Sequence, residues 1–469
     1  MVAPMDKTPI EGKTRGLWPL LGLAVLLGAG LRLYALGRHS LWLDEFATWH
    51  STSRASLAEF WSVFTKSELT PPVFFVHQFA WARFLEQDEF GVRFPAAIAG
   101  VLAIPAVLAF VAKVYDRWAG AIAAALFACA YQAIYFSQEA RAYSLVMLLV
   151  ALCGWAWFDL WRGRGRAWVY VLFATLLAYT HYFGAIFVFV QGLTAFSPRI
   201  WRKWFLVYGA IAALFLPWTF FIAGQMAVGD PATRVPGLGE VFLYHRWLFG
   251  RSSVYAAASA LVITWAAWKA RRRMDLVLLA WTFLPFFVVL LVSHVRPIYA
   301  DRYMVIGVVP MYALIGACVA RIPQRAVAAA VCALFAGLGV YETVLARHHY
   351  SEPKSEQVRE SVEWVRDYLK THPQTGIVAV NSRKPYVDYY FERLALGRTT
   401  DAIVGSAEAV EELRAGPLRE SREVILLTPG NASEEQADVA AFKTKYRLLD
   451  SKQLHRAGVW VFALGAPQR

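Results

Sequence analysis

A chain of 469 residues that is 58% hydrophobic, 15% aromatic and only 17% charged lacks the roughly one-quarter charged content of soluble domains, which excludes an ordinary soluble enzyme and indicates a polytopic membrane protein. The net charge of +13 sits largely in short Lys/Arg clusters between apolar runs, a topology signal rather than a nucleic-acid footprint. Cys129, Cys153, Cys318 and Cys332 lie inside apolar runs, where free cysteine behaves as a small hydrophobe; no disulfide framework or CxxC metal site is offered.

The first apolar run, Leu17 to Leu36, follows Lys7, Lys13 and Arg15, as a signal peptide would. It is long for that role and ends in Gly-Arg-His-Ser with no small-x-small cleavage site, so it reads as a retained transmembrane helix. Directly after it stands Ser40-Leu-Trp-Leu-Asp44-Glu45. A carboxylate in a membrane is costly, about 2.5 to 3.5 kcal/mol for an Asp at mid-bilayer, and is a functional candidate on that account; a solvated loop pair is the plainer alternative.

Membrane helices need about 20 mostly apolar residues. Eleven are expected, over roughly 17–36, 92–112, 118–135, 142–160, 168–180, 182–197, 204–222, 253–268, 275–293, 303–320 and 326–345. The basic clusters Lys7/Lys13/Arg15, Lys113/Arg117, Arg162/Arg164/Arg166, Arg199/Arg202/Lys203, Lys269/Arg271/Arg272/Arg273 and Arg321/Arg325 then fall on one side, which should be cytoplasmic. Counting Pro71 to Leu85 as a twelfth crossing would throw the later clusters outside, so that segment lies on or re-enters the membrane, its aromatics, His77 and Arg83 suiting the interface. Residues 37 to 91 become one large outer loop.

The other outer connections are Ser137-Gln-Glu139-Ala-Arg141-Ala-Tyr143, Tyr179-Thr-His181-Tyr182, Ala223 to Ser252, and Ser293-His-Val-Arg296-Pro-Ile-Tyr-Ala-Asp301-Arg302-Tyr303. The polar residues suited to chemistry thus converge on one face. Beyond residue 347 an amphipathic helix is expected over 351–371, since Val358, Val362, Val365 and Leu369 recur at helical spacing. Strands follow at 376–380, 423–427 and 458–464, separated by helices near 385–396, 407–414 and 434–443. That alternation indicates a small α/β domain over 347–469, outside by parity, after a transmembrane domain over 1–346. Asn431-Ala-Ser433 matches a glycosylation pattern short enough to arise by chance.

With an Asp-Glu pair in a large first outer loop, a Pro-Pro-aromatic segment behind it and an Arg opening the second helix, residues 17 to 345 resemble the GT-C superfamily of membrane glycosyltransferases. The likeness is greatest to the branch of protein O-mannosyltransferases and lipid A aminoarabinose transferases. It implies a GT-C-like helical fold, several of whose members carry a small outer C-terminal domain, and a donor sugar on a polyprenyl phosphate presented from the outer leaflet. By resemblance, Asp44, beside Glu45, is the base or acceptor-orienting group. Arg93 in Gly-Val-Arg-Phe-Pro matches an arginine linked to the donor phosphate. Gln138-Glu139-Ala-Arg141-Ala-Tyr143 is similar to a stretch of bacterial members, and Arg302-Tyr303 after Arg296-Pro matches a late outer-loop Arg-Tyr. No sequence here marks a specific protein acceptor.

The chemistry is consistent with that likeness. A hydroxyl attacking an anomeric carbon must lose a proton to a nearby base, and a departing polyprenyl phosphate gathers charge that arginine forks stabilise. In-line attack would invert the anomeric centre. Arg93, Arg141 and Arg302 also fit headgroup snorkelling, and His181, with Tyr182, is either a substrate ligand or a structural helix-end residue. A monophosphate donor calls for no cofactor, and metal dependence is left open, no His pair having diagnostic spacing. The expected partners are a polyprenyl-phosphate-linked sugar, a lipid, envelope-glycan or protein acceptor, and membrane lipids. The expected location is a bacterial-type cytoplasmic membrane. Competing readings are a lipid-linked glycan transporter or flippase, which would place ionisable groups at mid-membrane in related halves, and a ligase or polymerase using a pyrophosphate-linked donor.

Overall fold

A computed structural model describes residues 17–195, 201–228, 233–269, 272–380, 384–404, 409–414, 416–430 and 433–465. Lys7, Lys13, Arg15, Arg199, Arg271 and the Asn431-Ala432 part of the glycosylation pattern lie outside them. In chain order the helices are α1 (Leu17–Leu33), α2 (Leu43–Thr52), α3 (Leu57–Ser67), α4 (Val73–Trp81), α5 (Glu89–Val114), α6 (Arg117–Ala128), α7 (Tyr131–Tyr135), α8 (Tyr143–Trp161), α9 (Ala167–Thr180) and α10 (Tyr182–Ala195). They continue with α11 (Trp201–Val228), α12 (Glu240–Trp247), α13 (Ser253–Lys269), α14 (Arg273–Ser293), α15 (Val308–Val319), α16 (Arg325–Tyr341), α17 (Val358–Leu369), α18 (Lys384–Arg393), α19 (Ala409–Arg414) and α20 (Ser433–Lys445). The chain divides into two compact units: residues 1–34, 54–85 and 93–348, and residues 35–53, 86–92 and 349–469.

Among the described residues, six helical stretches are long and apolar enough to cross a membrane: Glu89–Val114, Tyr143–Trp161, Arg202–Phe221, Arg273–Ser293, Asp301–Val319 and Arg325–Ala346. A seventh is added if Arg117–Ala128 and Tyr131–Gln138, bent by 61°, count as one broken span. This is fewer than the eleven expected, and the reason is length. The 14 residues of α9 and of α10 rise only about 21 Å against a hydrocarbon core of about 30 Å. Pro95 and Pro105 lie inside α5, Pro217 inside α11 and Pro285 inside α14, as neighbouring helices in a membrane permit.

Buried on every side, α15 forms the centre of this unit. A Cβ at Gly316 would stand 2.6 Å from Ala123 Cα, so α15 and α6 touch backbone to backbone, the small-residue packing that membrane helices use in place of a hydrophobic drive. Where α6 ends, the fully buried Arg32 of α1 donates Nη1 to Ala128 O at 2.8 Å and Nη2 to Phe127 O at 3.3 Å. The guanidinium bonds the last carbonyls of the broken helix, sharing Phe127 O with the Ala130 N–H, at the end where the dipole favours a cation.

One end of the unit gathers much of the described basic set. Lys113 pairs with Asp159 and lies over the Trp155 ring at 3.8 Å. Arg321 grips Asp275 with two bonds of 2.6 and 2.8 Å, Tyr115 donates to the same carboxylate at 2.7 Å, and Arg273 covers Trp161 at 5.1 Å.

The second unit holds a five-stranded sheet: β1 (Gly376–Val380), β2 (Ala402–Val404), β3 (Glu423–Thr428), β4 (Arg447–Leu454) and β5 (Ala457–Ala463), in the order β2-β1-β3-β5-β4. β1 runs parallel to β2 and β3, while β5 is antiparallel to β3 and β4. The apolar runs β1, β3 and β5 are central and buried. β4, Arg-Leu-Leu-Asp-Ser-Lys-Gln-Leu, is exposed almost throughout, a charged edge that resists further pairing and carries no apolar alternation to announce it.

Candidate functional site

At the opposite end of α8 from Asp159, about 24 Å along the helix axis at 1.5 Å per residue, polar and aromatic groups from four connections meet. His181 is the single residue between α9 and α10. Its ring centroid lies 5.1 Å from that of Tyr303 and 6.1 Å from that of Tyr143, and Phe183 closes a third side at 5.6 Å. Burial, and then the charges of Arg141 and Arg302, push its imidazole down to about 3. His181 is therefore neutral at physiological pH. Its Nδ1 accepts the Phe183 N–H at 3.2 Å, so the ring proton sits on Nε2 and makes His181 a neutral hydrogen-bond donor.

Arg141 reaches this point because the chain turns tightly before α8: its N–H bonds to Glu139 O at 2.8 Å, and Tyr143 opens the helix. Its guanidinium lies 5.9 Å from the Phe75 ring of α4 and 4.0 Å from Glu68. Arg302 and Tyr303 come from the 3-10 turn Asp301–Gly307, with the guanidinium 5.4 Å from the Tyr303 ring. That turn is anchored by Asp301, which meets Arg251 at 3.1 Å and Arg234 at 3.5 Å, while Arg234 also pairs with Glu240 at 2.6 Å. The long connection before α13 is thereby tied to the one that carries Arg302.

Of the residues singled out in the sequence, Arg141, Tyr143, His181, Arg302 and Tyr303 are thus brought together. Tyr182 is adjacent, its hydroxyl accepting from Trp218 Nε1 at 3.1 Å. Arg93 is buried in α5 at 5% exposure, and Arg296 is half-buried after α14. Glu68 was missed. It is 5% exposed and directly precedes Leu-Thr-Pro71-Pro72, the segment that drew attention without its carboxylate.

Asp44 and Glu45 belong to the second unit, in the first turn of α2. Negative charge is favoured there by the helix dipole. Glu45 is fully buried and turns back to accept the Trp42 N–H at 3.2 Å; Asp44 is half-buried. Just ahead, the Leu41 N–H donates to the Tyr390 hydroxyl at 2.7 Å, and Leu41 O accepts from Tyr386. Ser40 Oγ donates to Glu360 at 2.5 Å. Behind, Phe46 meets the Tyr386 ring at 5.1 Å and Trp49 the Tyr389 ring at 4.4 Å. Arg359 bonds Arg38 O at 2.5 Å and Glu89 at 3.0 Å, and Arg393 lies 3.4 Å from Glu89. No sequence signal joins these long-range partners, which stand 270 to 349 positions apart in the chain.

Residues 70–222, about a third of the chain, match the model of the family described as dolichyl-phosphate-mannose-protein mannosyltransferase. No curated protein matches. Among solved structures, apo ArnT from Cupriavidus metallidurans is similar with a TM-score of 0.62 and 12% identity, over 97% of this chain and 99% of that one. The same protein bound to undecaprenyl phosphate gives 0.60 and 13%, over 97% and 100%. The archaeal oligosaccharyltransferase AglB from Archaeoglobus fulgidus, in complex with an inhibitory peptide and a dolichol-phosphate, gives 0.51 and 12%, over 88% of this chain and 69% of that one. At these identities the likeness is one of fold. The chain has the fold of GT-C membrane glycosyltransferases, and it resembles the O-mannosyltransferase and aminoarabinose transferase branches.

Proposed function

We propose that the chain is an inverting glycosyltransferase that moves a sugar from a polyprenyl-phosphate donor to a lipid, envelope-glycan or protein acceptor on the outer face of a bacterial-type cytoplasmic membrane. The observation that carries this reading is the meeting of Arg141, Arg302 and neutral His181 with Tyr143 and Tyr303 in a chain of GT-C fold. The ArnT structure with undecaprenyl phosphate and the AglB structure with dolichol-phosphate support a lipid phosphate as the group held.

In this reading Arg141 and Arg302, with Arg93, carry the donor phosphate. As the glycosidic C–O bond breaks, charge grows on the departing phosphate, and fixed guanidinium forks stabilise it without reorganising. His181 Nε2–H supplies a donor that stays neutral, and the aromatic walls keep water out. Asp44 takes the proton of the attacking acceptor hydroxyl, while Glu45 caps its own helix. No step here calls for a metal.

The test is incubation of the purified protein with a panel of labelled polyprenyl-phosphate sugars and mass spectrometry of the products; no transfer across a broad donor and acceptor panel overturns the proposal. In single turnover at saturating donor, Asp44→Asn is expected to lose about 10²-fold or more with donor binding retained. Transfer at the wild-type rate removes Asp44 from the chemistry. The orientation is tested with a membrane-impermeant thiol probe, which should label Thr399→Cys and spare Arg164→Cys in outer-side-out vesicles.

A further inference from the structure

We infer that the C-terminal sheet unit is a positioning device for Asp44, acting through the hydroxyls of Tyr386 and Tyr390. This rests on the reading of Asp44 as the group that serves sugar transfer. The two tyrosines stand at i and i+4 on α18, hence on one face, and both are almost fully buried. Between them they take both backbone polar groups of Leu41, Tyr390 accepting its N–H and Tyr386 donating to its carbonyl. A single hydrogen bond leaves a segment free to pivot, whereas one on each side of the same residue fixes its position and its direction.

Leu41 lies two residues before α2 begins and three before Asp44. Because α2 is short and rigid, a grip at its entrance sets where the Asp44 carboxylate stands. The same α18 face holds the helix from the other end through Phe46 on Tyr386 and Trp49 on Tyr389. From α17, Glu360 accepts from Ser40 Oγ, and Arg359 donates its N–H to that oxygen at 3.3 Å. Buried hydroxyls need partners, and here the partners are the backbone of the acidic segment. Displacement of a reacting group by about 1 Å costs on the order of 10²-fold in rate, so removing two hydroxyls while keeping both rings should be felt in the chemistry.

The experiment uses the full-length protein and the variants Tyr386→Phe/Tyr390→Phe, Ser40→Ala and Asp44→Asn. Single-turnover transfer at saturating donor, acceptor KM, donor Kd and melting temperature are measured for each. The tyrosine pair is expected to lower the transfer rate about 10- to 100-fold, with donor Kd and acceptor KM within about twofold of wild type. Adding it to Asp44→Asn should cost little more, since neighbours acting through one group are non-additive; a merely structural role would add in full. Ser40→Ala, which leaves both tyrosines in place, should show the same split at smaller size and serves alone if the double variant does not fold. Wild-type transfer by the tyrosine pair, or a full further loss on Asp44→Asn, overturns the inference. Wild-type transfer by Asp44→Asn instead overturns the underlying role of Asp44, whatever the tyrosines do.

Discussion

The two ends of the helical unit both carry arginine, and they use it differently. At the end of Asp159 and Asp275 the cations close onto carboxylates: Arg321 makes a two-pronged pair of 2.6 and 2.8 Å with Asp275, and Lys113 joins Asp159. At the other end Arg141 stands 4.0 Å from Glu68, and its field, with that of Arg302, falls on a neutral histidine among aromatic rings. The first arrangement neutralises charge within the protein and ties α14 to Arg321, two residues beyond α15. The second leaves its positive field on a buried neutral histidine among aromatic rings, the arrangement on which the proposed phosphate site rests. Arginine alone therefore does not tell a fastening from the proposed receptor; the partners do.

If that contrast is right, the two ends must fail in different ways. The largest effect is expected from Arg141→Ala/Arg302→Ala: loss of charge-assisted bonds worth about 1.5 to 3 kcal/mol each should weaken binding of a polyprenyl phosphate at least 100-fold by titration, with a smaller drop in melting temperature than Arg321→Ala gives, because the Arg141–Glu68 pair at 4.0 Å is looser than the Arg321–Asp275 pair at 2.6 Å. Arg321→Ala should do the reverse. Removing one partner of a buried pair costs about 3 kcal/mol of stability, visible in thermal unfolding in detergent, while the folded fraction keeps its donor affinity; equal donor loss in both variants would erase the distinction. Arg302→Lys keeps the charge but not the fork, and about tenfold weaker donor binding is expected, measured against wild type in the same titration.

The smallest effect concerns protons. His181 is held neutral by burial and by the two arginines, its pKa lowered to about 3 from 6.5, so between those values the unfolded chain binds the proton that the folded chain refuses. Its contribution to stability is complete above about pH 6.5 and is lost as pH falls toward 3. Lowering the pH from 7 to 5 should therefore destabilise wild type by on the order of 1 to 2 kcal/mol more than His181→Gln, read from denaturant unfolding at the two pH values. Equal losses would mean that His181 is not the group excluded from protonation.

Polar residues at the edges of apolar runs were legible in the sequence, because Arg141, Tyr143, His181 and Arg302 each interrupt or end such a run. Parity then put them on one face, and the contacts around His181 bring them together. Partners that need the third dimension were not legible. Glu68 reads as an ordinary loop carboxylate until Arg141 arrives from 73 positions later, and Tyr386 and Tyr390 read as the apolar face of a helix until Leu41 is seen between their hydroxyls. The count of eleven is not reproduced for another reason: hydropathy marks apolar segments without measuring their length, and α9 and α10 have only 14 residues each. Strands β2 and β4 escaped because one has three residues and the other faces solvent.

Arg32 carries a consequence for how the protein is made. The first apolar helix leaves the ribosome with an arginine near its end, a residue that costs about 2.5 to 3.5 kcal/mol at the centre of a membrane helix. The carbonyls that will receive it, on Phe127 and Ala128, are synthesised some 95 residues later. At about 5 to 20 residues per second, α1 waits several seconds with its guanidinium in the insertion machinery or stretched to the lipid headgroups. It settles only when the broken end of α6 arrives, so the earliest helix of the bundle is completed by a later one, and nascent-chain crosslinking from position 32 should follow that delay.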